Sequence, residues 1–373
     1  MSTQSRNYET FIKKYKLSMD AITQANFKKA HYHAEGALNS YYDYAYSLDM
    51  GQERLRAMRF GKELKALEKS LYERVESMKS LEEKVNSNSF LSGISGQDKA
   101  KEELMRLVIY PELYPDLYER FKKRKGGGIL LYGVPGTGKT RIAQALAKDL
   151  DAHFIEVKCS DVICKWFGES ERNIKDIFIE ARKHPKSVIF FDEFESLGAV
   201  RGGDSNNPIS RVISELLSQI QGFDNNNSNV FIMAATNRPW DIDSAFLRPG
   251  RFGSLVHVTL PNDESRLDIV KYELNGIMVS NDFDYDKIVK HTKGFSASDM
   301  VEFCERLKDR VIYRLIHNEG LEVITNDDID VVLLNIKSSV SERDLSLIED
   351  YINGKSSPNK ASGGVSCMVG EAC

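Results

Sequence analysis

The chain has 373 residues, 41% of them hydrophobic and 28% charged, which is the make-up of a soluble globular protein with room for two or three cores. Its formal net charge of -4 argues against a general nucleic-acid binder. No apolar run approaches the ~20 residues of a membrane span, and the opening MSTQSRNYET lacks the apolar stretch of a signal peptide.

From about residue 5 to 85 the pattern is helical and free of proline. Residues 8–22 carry Phe11, Ile12, Tyr15 and Leu17. Residues 26–48 place Phe27, Ala30, Ala34, Ala37, Leu38, Tyr41, Tyr42, Ala45 and Leu48 on one helical face. Residues 55–78 do the same with Leu55, Met58, Leu64, Leu67, Leu71 and Val75. Three such runs with short turns predict an antiparallel three-helix bundle over residues 1–85. The polar residues 82–89 read as a short linker.

Over residues 90–261 short apolar runs alternate with helical segments. Strands are expected at 128–132, 153–157, 187–191, 229–234 and 254–260. Continuous apolar runs between helices indicate an α/β fold with a parallel sheet flanked by helices. Residues 262–353 return to a helical pattern and predict a helical subdomain. Residues 354–373, rich in Gly, Ser and Lys, read as a disordered tail. The five cysteines are Cys159, Cys164, Cys304, Cys367 and Cys373; they match no zinc spacing, and the first three suit a reducing, cytoplasmic setting.

Gly133-Val134-Pro135-Gly136-Thr137-Gly138-Lys139-Thr140 fits G-x-x-x-x-G-K-[ST] between a strand and a helix that continues from Arg141. The glycines let backbone N–H groups turn around phosphates, and the helix N-terminus adds its dipole. Lys139 would reach the β- and γ-phosphates of ATP, and the Thr140 hydroxyl would ligate magnesium. The strand 187–191 then runs into Asp192 and Glu193. Asp192 would hold the magnesium, and Glu193 would polarise an attacking water.

These motifs, in this order, resemble the AAA ATPases over about residues 90–353. The resemblance assigns Asn237, in AATNRP, to sensor 1, and Arg248 and Arg251, in LRPGRF, to arginine fingers that act on a neighbouring subunit. It therefore implies a homo-oligomeric ring, usually a hexamer. It also places Gly96 and Ala297 beside the nucleotide, together with the P-loop segment through Arg141. Lys165, Trp166 and Phe167, in CKWFGESE, match a pore loop that grips an extended polypeptide substrate. Three positions depart from the family pattern: Ala297-Ser298 stands for Gly-Ala, Gln221 for Asp, and Gly253-Ser254 for Asp-Arg. The last two imply altered communication around the ring. The segment 337–345 and the pore-loop Trp resemble the branch containing katanin, spastin and the ATPase that disassembles ESCRT filaments. The N-terminal pattern resembles an MIT domain, which implies binding of a protein substrate or adaptor. A nucleotide-controlled assembly switch that threads nothing is the alternative.

Overall fold

The computed structural model describes residues 3–87, 89–123, 127–164, 170–198, 208–222, 229–317 and 322–354. The elements begin with α1 (Thr3–Thr23), α2 (Phe27–Ser47), α3 (Gln52–Asn86), α4 (Asp98–Leu104), a π-helical turn (Met105–Ile109), α5 (Tyr110–Leu113) and α6 (Pro115–Arg120). Next come β1 (Ile129–Tyr132), α7 (Lys139–Asp149), β2 (His153–Lys158), α8 (Cys159–Cys164), α9 (Ser170–Arg182), β3 (Ser187–Asp192), α10 (Glu195–Gly198) and α11 (Pro208–Gly222). Then follow β4 (Val230–Thr236), a 3-10 turn (Pro239–Asp241) and β5 (Ser254–His257). The last helices are α12 (Asp263–Glu273), α13 (Tyr285–His291), α14 (Ala297–Ile316), α15 (Asn326–Asn335) and α16 (Glu342–Ile352). None of the described helices is long and apolar enough to cross a membrane.

Two compact units result. Residues 1–90 and 105–125 form one; residues 91–104 and 126–373 form the other. In the first, α1 and α3 both pack on α2. The reason lies in α2's buried face, where the small side chains of Ala30, Ala34, Ala37, Ser40 and Ala45 admit close neighbours and Tyr41 adds a ring that packs on Phe11 and Phe60. Asn26 caps this helix by accepting from the Lys29 N–H at 3.1 Å. The face of α3 differs from expectation. It buries Ala57, Gly61, Leu64, Leu71 and Val75, and Leu55, half a turn away, stands 66% exposed. Residues 82–86 are helical too, not linker. Met78 and Leu81 are buried just before them, and Glu-Glu-Lys favours continuation. In α1, Phe11 is buried, but Ile12 and Leu17 are largely open. Tyr8, Phe11, Tyr15, Tyr41, Tyr44 and Phe60 line a cleft of about 480 Å³ in this bundle.

The second unit is built on a five-stranded parallel sheet in the order β2-β3-β4-β1-β5. Every residue of β3 from Ser187 to Phe191 is buried, as its apolar run requires. Under one side lie Ile174, Phe178, Phe191, Phe194, Phe246 and Phe252. Register sets the edge where chemistry can collect. Tyr132 pairs with Thr236, and Lys158 with Asp192, so the carboxyl ends of β1, β4 and β3 are presented together.

Helices α12 to α15 enclose a separate core of Val270, Ile288, Met300, Phe303, Leu307 and Ile329. Asp328 is its polar keystone. Its side chain is fully buried and accepts from Arg314 at 2.8 Å, Arg310 at 3.1 Å and the Thr325 N–H at 2.9 Å. Burial alone would raise its pKa, but the bonds from Thr325, Arg314 and Arg310 win and hold it below the ordinary value. Its stabilisation is therefore present above the usual carboxylate range and lost as pH falls through the lowered value. Asp328→Asn, which leaves two arginines short of a counter-charge, is expected to destabilise the chain by about 3 kcal/mol in urea unfolding. An unchanged midpoint would remove Asp328 from this role.

Candidate active site

Between β1 and α7 the chain turns through Gly133–Thr140. Gly136 and Gly138 hold φ of 76° and 90°, a region that disfavours side chains. At Gly136 a Cβ would also stand 2.5 Å from the Ser296 hydroxyl. Gly136→Ala is accordingly expected to weaken ATP binding by about tenfold, from left-handed strain of ~1–2 kcal/mol, as read by titration with a fluorescent nucleotide. Affinity equal to the parent would show that the loop relaxes freely.

Lys139 is buried at the start of α7. Its Nζ donates to the carbonyls of Gly133 and Val134, each at 2.9 Å, and to Thr137 Oγ1 at 3.4 Å. Burial pushes its pKa down to about 8, while the carboxylates of Glu195 and Asp192 pull it up. An ammonium held by weak carbonyl acceptors at a helix N-terminus suits phosphate oxygens, which are stronger acceptors.

Asp192 ends β3. Its Oδ2 accepts from the Thr140 hydroxyl at 3.0 Å, and its Oδ1 accepts from the Glu193 N–H at 2.9 Å. A hydroxyl and a carboxylate are hard oxygen donors of the kind magnesium takes, beside a loop shaped for the phosphates that complete its shell. Among the described residues no group of three or more His, Cys, Asp or Glu is arranged to hold a metal. Thr140 and Asp192 are thus the pair of oxygen donors that would hold magnesium here.

Glu193 is exposed, with a left-handed backbone at φ 51°. A non-glycine residue held there stores strain, which concentrates at functional positions. Asn237 follows β4 directly. Because Tyr132 and Thr236 are paired, Gly133 and Asn237 leave the sheet side by side. Cys159, buried at the start of α8, lies within electrostatic reach of Asp192, Glu195 and Glu193; burial, then these acids, push its thiol far up. It is a packed, unreactive side chain.

The remaining candidates lie in the loop itself or on the segments around it. Arg248 is exposed, whereas Arg251 is half-buried and donates to the Ala245 carbonyl at 2.5 Å. Arg141 faces α12, with Glu273 at 4.0 Å and the Tyr272 ring at 5.3 Å. Gly96 holds φ 63°, and the atoms nearest a Cβ there belong to Ser265 and Asn262. Val134 is buried and Pro135 exposed at the bend of the loop. Ala297 opens α14, and the next residue, Ser298, donates its N–H to the Gly136 carbonyl at 3.0 Å. Ser296 and Asp299 cap that helix reciprocally. Lys165, Trp166 and Phe167 lie outside the described residues, as do Phe223 and the tail with Cys367 and Cys373.

Residues 129–260 match the model of the ATPase family associated with various cellular activities (AAA). These residues are an AAA ATPase domain. By that match the domain is similar to a family of ATPases. A putative cell division cycle ATPase of Plasmodium falciparum (isolate 3D7) is 41% identical over 225 residues, 60% of this chain. The match spans 18% of that relative, so the chain corresponds to a small part of it.

Two features of the AAA domain escaped the sequence reading. One is Glu195, which the spacing Asp192-Glu193-Phe194-Glu195 could have flagged as a third acid on the same turn. The other is the contact between Ser298 and the P-loop. It joins residues 162 positions apart, and no local pattern announces it.

Proposed function

We propose that the AAA domain works in a homo-oligomeric ring, a hexamer by family resemblance, that uses ATP and magnesium to remodel or disassemble a protein substrate. The observation that carries this reading is the contrast between the phosphate side and Arg248. Lys139, Thr140, Asp192, Glu193 and Asn237 meet at one sheet edge, while Arg248 stands exposed, free to serve a neighbour's site. In this reading Lys139 binds phosphate, and Thr140 and Asp192 hold magnesium. Glu193 orients the attacking water, and Asn237 senses the γ-phosphate. Gly96, Ala297 and the P-loop through Arg141 border the nucleotide. Lys165, Trp166 and Phe167 grip the substrate in the pore, and the MIT-like N-terminal bundle selects it in the cytoplasm. Katanin, spastin and the ESCRT-disassembling ATPase are the models for such a machine.

Two measurements test it. The mass of the Glu193→Gln protein in solution should rise to that of a ring when ATP is added; a monomer at all nucleotide concentrations would sink the ring. Replacing both Trp166 and Phe167 with Ala should abolish remodelling and keep ATP turnover. If remodelling persists, the assembly-switch reading takes its place.

A further inference from the structure

Glu195 is the acid near the phosphate loop for which the assignments above have no use. It opens α10, two residues beyond Glu193. The preceding residue, Phe194, is locked: its ring packs on Phe246 and Phe252 at 5.0 and 4.8 Å, and its N–H donates to the Ala235 carbonyl at 2.9 Å. The Glu195 side chain adds a second tie to the same strand. Its Oε1 accepts the Asn237 N–H at 3.3 Å. The exit of β3 is thus stitched to the exit of β4 twice, once by backbone and once by this carboxylate.

The other oxygen is the telling one. Oε2 of Glu195 is buried and has no hydrogen-bond partner among the described residues. Leaving a buried carboxylate oxygen unpaired is costly, and such an atom calls for a reason. The charge also acts on its surroundings. Of the two carboxylates that oppose the burial of the Lys139 ammonium, Glu195 contributes more than Asp192. The free oxygen therefore lies in the electrostatic field of the phosphate site, next to the residue assigned to sense the γ-phosphate.

We infer that Glu195 is a positioning residue for ATP hydrolysis: it clamps the backbone of Asn237 to the Glu193 turn. This rests on the assignment of Asn237 to the phosphate site. Glu195 itself takes no proton and forms no bond to phosphorus. Its effect passes through Asn237, so it bears on turnover rather than on nucleotide binding.

The full-length chain is assayed for ATP turnover and for affinity toward a fluorescent ATP analogue. Glu195→Ala should lower kcat about tenfold or more and change nucleotide affinity by no more than roughly twofold. Glu195→Gln keeps an oxygen for the Asn237 N–H and should recover most of the lost kcat. In an Asn237→Ala background, Glu195→Ala should cost no more than roughly twofold further, because the clamped side chain is already gone. Should Glu195→Ala fail to fold, Glu195→Asp, one methylene short of the Asn237 N–H, takes its place with the same expected split. The inference is overturned if Gln is no better than Ala, or if the loss in the Asn237→Ala background is undiminished. An Asn237→Ala protein with unchanged kcat would instead defeat the Asn237 assignment, and the clamp along with it.

Discussion

Replacing Glu193 with Gln is expected to lower ATP turnover by about 10²–10⁴-fold and to leave ATP binding intact. The exchange keeps the size of the side chain, so the left-handed backbone at φ 51° and the N–H bond to Asp192 are not disturbed. Thr140 and Asp192 stay joined, and Lys139 keeps its place in the loop. Only the acceptor that would orient water changes. Single-turnover hydrolysis and nucleotide titration on the same preparation separate the two effects. Turnover within a few-fold of the parent would take Glu193 out of the reaction. Lost binding would mean that it holds the nucleotide instead.

Arg248→Ala is expected to cut turnover by about 10³-fold, in keeping with the contribution of arginine fingers to phosphoryl transfer. Arg248 is exposed, so its melting temperature should not move. Arg251→Ala should also lose activity, but with reduced stability, because its guanidinium is tied to the Ala245 carbonyl of its own chain. The decisive comparison is a mixture. Arg248→Ala subunits retain Glu193, and Glu193→Gln subunits retain Arg248. If the arginine acts on a neighbour, some mixed interfaces combine the two intact halves, and activity returns above that of either protein alone. Activity that merely averages the two inactive variants would place Arg248 in its own subunit's chemistry or outside the reaction.

The sheet was legible because strands buried on both faces need apolar residues at every position, and 187–191 meets that demand without interruption. The glycine-rich loop was legible for a similar reason: its left-handed turns at Gly136 and Gly138 need glycine at fixed steps, so the loop is written in consecutive residues. What escaped depends on partners distant in sequence. Leu55 looks like a core residue until the small face of α3, with Gly61 against Tyr42, determines which side is turned inward. The linker expected over residues 82–89 is helix as far as Asn86, because Met78 and Leu81 find a core to enter. The left-handed backbone of Glu193 is invisible in a sequence, since nothing but the tertiary frame would impose it on that residue type. Glu195 matters through one bond and Ser298 through two, in each case to a segment far along the chain.

The bond from the Ser298 N–H to the Gly136 carbonyl carries a thermodynamic obligation. It makes the attitude of the α12–α15 helices and the shape of the phosphate loop parts of one equilibrium. Linkage of this kind is reciprocal: whatever free energy ATP contributes to orienting those helices, a second molecule orienting them must return as a change in ATP affinity. Force or binding applied to α14 can thus retune the affinity for a nucleotide that it never touches.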